Sequence, residues 1–258
     1  MYIMYIMDKK QQNIDLTRYS KQQLLDYNKL WTPTIVPHVP FKNNYFKIRN
    51  IRYDVNLLTR DLQQAVENTS WQNKSKDKCW KSITLKSYDG KDQSFLKLTK
   101  LGRNKENTYQ YTNAMKGCDY FKTILDELPT DVYLVRILLL EEGGVINFHT
   151  DEIVFENKRD IIRCHIPIIT HPNITFRIGF PLAYWLNPNI ESTEKVYEKV
   201  QQENWRAQVL HEKHLEEGYM YYTNVNTLHS VVNNSSVPRY HLCIDMRPPD
   251  EMEHILNS

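Results

Sequence analysis

Only four cysteines stand among the 258 residues of this chain, and no two of them form a C-x-x-C pair. A zinc ribbon or a thioredoxin-type motif is therefore excluded. Cys164 and Cys243 lie inside apolar runs, where buried thiols are expected. Glycine is scarce as well, at 7. Charge of one sign is missing: the net charge is +2, so charge gives no argument for a nucleic-acid partner. No apolar run approaches the roughly 20 residues of a membrane span. The apolar start, Met1 to Met7, lacks the charged-then-apolar order and the small-residue cleavage site of a signal peptide. A cytoplasmic protein with no membrane partner is expected. No internal repeat is visible. The sequence does not disclose an oligomeric state.

Aromatic residues make up 12 % of the chain, which argues against disorder. The length suits one large domain, or a domain with an extension, and buries a real core. Residues 1–45 read as an N-terminal extension, with a loose helix over 16–30 and then an extended stretch spaced by Pro33, Pro37 and Pro40. The main domain is expected over 46–250, with a short tail at 251–258. Apolar residues at 55, 57, 58, 62, 65 and 66 have helical spacing, with Asp54 as N-cap. Trp80 to Tyr88 reads as a strand ending in an Asp89-Gly90 turn. Asp119 to Leu128 reads as a short helix stopped by Pro129.

Beyond residue 131 the pattern becomes β. Strands are expected at 132–140, 145–151, 161–170, 174–179, 218–223 and 239–246. Strands with polar turns and few interleaved helices suggest an antiparallel sandwich or small barrel. Residues 181–217 interrupt the series. The stretch from Glu191 to Glu217 is charged, with a loose stripe of Val196, Val200, Ala207 and Leu210 and Gly218 as a stop, so a helical insertion is expected. At a barrel mouth such an insertion serves equally well as a lid or as a packed surface helix.

One short segment carries the most chemical information. His149 and Asp151 stand two apart on an extended stretch, so both point to one face. His229 follows far downstream, and Arg239 opens the last apolar strand. Two imidazoles and one carboxylate can hold Fe(II) on one face and leave the other open for a co-substrate and O2. A guanidinium such as Arg239 forms a two-pronged pair with a carboxylate, and 2-oxoglutarate carries a distal carboxylate that needs one. Arg163 and His165 share a strand face, where a polar pair must be solvated or used.

These residues resemble the aspartyl/asparaginyl β-hydroxylase family of 2-oxoglutarate oxygenases. The match lies in His149-Thr-Asp151, in Arg163-Cys-His165-Ile-Pro-Ile with Phe176-Arg-Ile-Gly179, and in Leu228-His229-Ser-Val with Arg239-Tyr-His-Leu-Cys-Ile-Asp245. It extends more weakly over 51–88. The resemblance implies a mainly β fold with flanking helices, the double-stranded β-helix or jelly-roll, cupin-like barrel. It implies hydroxylation of an unactivated C–H of an amino acid, free or within a peptide, with O2 consumed and 2-oxoglutarate converted to succinate and CO2. It also implies that His149, Asp151 and His229 are the metal ligands, that Arg239 anchors the distal carboxylate and that His165 lies near the co-substrate. Arg163 would lie near a carboxylate of co-substrate or substrate. Animal protein hydroxylases of the family have glycine where Asp151 stands. Halogenating 2-oxoglutarate enzymes also lose this carboxylate, so Asp151 argues for hydroxylation. Two other readings compete: a non-catalytic barrel that binds a metal or a small acid, and a zinc hydrolase using the same three ligands.

Overall fold

The apolar alternation of the sequence becomes sheet in a computed structural model that describes residues 45–74, 78–92, 109–149, 151, 161–181, 207–225 and 228–249. The expected helix at 16–30, the proline-spaced stretch, the tail and the part of the insertion over 182–206 lie outside the described residues. In chain order the strands are β1 (Tyr45–Arg52), β2 (Gln72–Asn73), β3 (Trp80–Ser87), β4 (Gln110–Tyr111), β5 (Val132–Leu140) and β6 (Val145–His149). They continue as β7 (Ile162–Ile169), β8 (Ile174–Pro181), β9 (Ala207–Lys213), β10 (Tyr219–Thr223), β11 (His229–Asn233) and β12 (Arg239–Met246). Helix α1 (Val55–Asn68) follows β1, and α2 (Asp119–Asp126) precedes β5.

An eight-stranded antiparallel sheet runs β1-β10-β7-β12-β5-β3-β2, with β4 on β3. A four-stranded sheet runs β6-β11-β8-β9. The two layers form the expected double-stranded β-helix, open rather than closed into a barrel. One expectation fails. Residues 207–213 are not helix but strand β9, paired antiparallel with β8. His211 therefore lies on a strand, and Gly218 ends no helix there. Backbone pairing with β8 overrides the weak helical stripe, as tertiary context commonly overrides propensity.

Residues opposite one another on neighbouring strands share a side of the sheet. Ile83, Ile137, Leu242 and Ile166 form one such row. They pack against Leu58, Leu62 and Ala65 of α1 and Phe121 and Ile124 of α2. Each fully buried aliphatic side chain contributes about 1.5–3 kcal/mol. The other side faces the interior between the sheets, and it is divided. At one end Leu140 and Tyr221 meet Ile146, Phe176, Ile178 and Val231 in a second apolar core. Further along the same face the rows turn polar: Arg136, Cys243 and His165, then Asp245, Arg163 and Thr223.

The helices are tied together through one carboxylate. Asp54 caps α1, its Oδ1 accepting from the Asn56 and Leu57 amides. Cys118, at the corresponding position of α2, gives no side-chain cap. Asp61 of α1 supplies it instead: its buried Oδ2 accepts from the Phe121 amide at 2.9 Å. This places a negative charge at the positive end of α2. Asp61→Ala should lower stability by about 1.5–3 kcal/mol, because it strips a buried amide of a charged partner. Urea denaturation checks this; an unchanged midpoint would show that α2 does not depend on Asp61.

Candidate metal and co-substrate site

The pairing of β6 with β11 sets His149 directly opposite His229. Their ring centroids lie 4.2 Å apart. Phe176 stacks on His229 from the apolar core at 5.5 Å, and Trp80 approaches His149 at 6.2 Å. His149 Nδ1 lies 2.7 Å from the Asn147 carbonyl oxygen. A carbonyl only accepts, so Nδ1 carries the proton and Nε2 keeps its lone pair for a ligand.

Asp151 stands beyond the end of β6. Its backbone N–H donates to the Val225 carbonyl at 2.8 Å. Its Oδ1 lies 3.4 Å from His149 Nε2. One donor atom from each of His149, Asp151 and His229 falls within 4.8 Å of the others. Three donors at that spacing, two nitrogen and one oxygen, fit a divalent transition-metal ion bound on one face. Burial raises the pKa of the Asp151 carboxyl, but the Arg163 charge and the two histidines outweigh it and hold the group well below the usual carboxylate range. The carboxylate is ionised and ready to ligate at neutral pH.

Position 179 shows how tightly this end is packed. A Cβ at Gly179 would sit 2.3 Å from the Phe148 ring, and Phe148 directly precedes His149. Gly179→Ala should cost about 1–3 kcal/mol through overpacking and displace His149. Thermal melting together with a metal titration checks both effects; a variant that melts and binds metal as wild type would remove this constraint.

Arg239 is buried, 3 % exposed, yet has no carboxylate within ion-pair distance among the described residues. It lies along the His241 ring, with Nε 3.0 Å from Nε2 and a terminal nitrogen 2.8 Å from Nδ1. Burial without an anion pulls its pKa down to about 9. His165 and His241 are pushed well below the usual histidine range, first by burial and then by Arg239. Both are neutral at physiological pH. His165 Nδ1 is buried with no hydrogen-bond partner. An unmatched guanidinium and an unmatched imidazole nitrogen on one interior face suit a carboxylate-bearing small molecule.

Arg163 meets carboxylates of the protein itself. Its Nε and one terminal nitrogen donate to the two oxygens of Asp245, at 2.6 and 2.8 Å. Its other terminal nitrogen donates to Asp151 Oδ2. Its fork is thus engaged by two carboxylates of the protein. Sequence reasoning gave no role to Asp245 or to Arg136. The signals were present: Arg136 interrupts the apolar run of β5, and Arg239, His241, Cys243 and Asp245 alternate along β12.

The family described as aspartyl/asparaginyl beta-hydroxylase matches residues 46–198. That stretch includes His149, Asp151, Arg163 and His165, while His229 and Arg239 lie after it. No curated protein matches the sequence. Among solved structures, the chain is similar to the non-heme alpha ketoglutarate dependent carbocyclase SnoK from nogalamycin biosynthesis, at 11 % identity and TM-score 0.47, over 93 % of this chain and 91 % of that one. It is also similar to HygX from Streptomyces hygroscopicus, solved with nickel and 2-oxoglutarate, at 7 % identity and TM-score 0.44, over 90 % and 88 % of the two chains. A prolyl-4-hydroxylase from Pseudomonas putida gives 10 % identity and TM-score 0.43, over 89 % of this chain and 100 % of that one.

Proposed function

The chain belongs to the aspartyl/asparaginyl β-hydroxylase family, and from that premise we propose that it hydroxylates an unactivated C–H of an amino acid, free or peptide-borne, with Fe(II), 2-oxoglutarate and O2. The observation that carries this reading is the convergence of His149, Asp151 and His229 in the same interior as an Arg239 that meets no carboxylate among the described residues. When bound, Fe(II) with 2-oxoglutarate and O2 supplies the oxidising power for hydroxylation, releasing succinate and CO2. The protein's own part is to bind and to orient. His149 presents Nε2 because Asn147 holds the Nδ1 proton. Asp151 contributes a charge that stays ionised, and His229 completes the set. Arg239 receives the distal carboxylate of 2-oxoglutarate, and neutral His165 offers its unpaired Nδ1 nearby. The apolar core around Leu140 and Tyr221 keeps water from one end of the interior.

In this reading residues 46–250 form the oxygenase domain, residues 1–45 an extension and 251–258 a tail. The protein acts in the cytoplasm on an amino-acid or peptide substrate. Among the described residues no helix is long and apolar enough to cross a membrane. The deciding experiment is a turnover screen over free amino acids and peptides, with succinate measured and product mass read. Products heavier by one oxygen, dependent on Fe(II) and 2-oxoglutarate, support the assignment. Metal analysis showing only zinc, together with esterase or peptidase turnover, would replace it with a hydrolase.

A further inference from the structure

We propose that Arg163, backed by Asp245, is a positioning residue that makes Asp151 a one-oxygen metal ligand, with Oδ2 clamped and Oδ1 alone turned to the metal. This rests on the metal-site reading above and adds to it the device that sets the carboxylate.

The three ligands are not held alike. His149 and His229 belong to paired strands, and the β6–β11 ladder places them. Asp151 lies outside any strand, so ladder geometry does not orient its side chain. Two bonds do so instead: its amide to the Val225 carbonyl, and its Oδ2 to Arg163. Arg163 is suited to the task because it cannot move. It stands on β7, opposite Asp245 of β12 on one side and Thr223 of β10 on the other. Its side chain is 11 % exposed, and Asp245 is fully buried. The two-pronged pair with Asp245 fixes the plane of the guanidinium. The third direction of that plane points at Asp151.

The two oxygens of Asp151 thereby become unequal. Oδ2 spends its strongest acceptor direction on Arg163. Oδ1 is the oxygen beside His149 Nε2, at 3.4 Å, and Nε2 is the nitrogen that the Asn147 contact leaves for a ligand. Arg136 also lies 3.5 Å from Asp245. Two guanidinium groups and two carboxylates thus form a cluster that balances itself. The cluster needs no external anion, which separates its work from that of Arg239.

The test is Mn(II) binding to the full-length protein, followed by the electron paramagnetic resonance signal of free Mn(II). Two backgrounds are compared with wild type. Arg163→Lys keeps the charge but loses the fork that reaches two carboxylates. Arg163→Met with Asp245→Asn removes the pair without changing net charge. Both should bind Mn(II) about 10–100-fold more weakly, as loss of an outer partner of a ligand typically does, with folding confirmed by thermal melting.

A second comparison separates clamping from simple support. In the wild-type background Arg163 demands an oxygen, so Asp151→Asn must turn its NH2 toward the metal and lose as much affinity as Asp151→Ala. In the Arg163→Met, Asp245→Asn background the amide is free to turn, and Asn should retain more affinity than Ala. Mn(II) affinity at the wild-type level in both Arg163 backgrounds, or the same Asn-to-Ala ratio with and without Arg163, would overturn the clamp alone. Absence of Mn(II) and Co(II) binding by wild-type protein would overturn the metal-site reading itself, and the clamp with it.

Discussion

Asp151→Ala and His229→Ala should each end the formation of succinate that the proposed reaction predicts. Each removes one of three donors that converge within 4.8 Å. Loss of a mere outer partner of a metal ligand costs about 10–100-fold in affinity or activity; loss of a ligand should exceed that. The two variants also probe different elements. His229 sits in the middle of the four-stranded sheet, whereas Asp151 lies in a connection. A joint loss therefore reports on the shared ion rather than on one damaged strand. Mass spectrometry of succinate, with circular dichroism to show retained fold, decides the matter. Full turnover by either variant would remove that residue from the site.

Arg239→Met separates stability from co-substrate binding, and the two should move in opposite directions. The guanidinium is buried with no carboxylate partner among the described residues, and burial pulls its pKa down to about 9. The sign follows from linkage. A cation whose pKa is lower in the folded state holds its proton more tightly when unfolded, so its burial costs stability at every pH below about 9. That cost lifts only as pH rises through this value. At neutral pH the variant without 2-oxoglutarate should melt no lower than wild type. Binding should suffer, because loss of one partner of a buried charge pair costs about 2–5 kcal/mol. At roughly 1.4 kcal/mol per tenfold, this is about 30-fold or more in Kd. Wild type should gain about 2.7 kcal/mol from ligand at a hundred times its Kd, and the variant should lose most of that gain at the same concentration. Equal melting shifts with 2-oxoglutarate in both proteins would place the anchor elsewhere.

The legible parts of the fold are those where local pattern and tertiary environment agree. The capped helix after Asp54 and the apolar runs of β5, β7 and β12 read directly, because their periods match the faces they bury. Strand β9 did not. Val209, Glu212 and Lys213 are exposed, so no two-residue period stands out in its sequence, and only its pairing with β8 defines it. Strand β11 escaped for a similar reason, being short and followed by a turn rich in asparagine and serine. In the site, the coming together of His149, Asp151 and His229 was legible because their residue types carry their own chemistry at telling distances along the chain. Arg163 carried a signal, but its partners within the protein were not legible. The anion that occupies it, Asp245, lies 82 residues away in sequence and directly opposite in register. Register across a sheet is a property of the assembled fold and cannot be read along one strand.

The order of strands in the smaller sheet has a further consequence. Strand β11 lies between two neighbours, whereas β6, with five residues, pairs among the described residues with β11 alone. His229 therefore sits in the most cooperative part of that layer and His149 at its fraying margin. Partial opening begins at margins, where the fewest bonds must break. The two histidines would then leave the ion in sequence rather than together, with the β6 side going first. Amide protons of 145–149 should exchange with solvent before those of 229–233. As the protein warms, it should release its metal from the His149 side well before the sandwich as a whole comes apart.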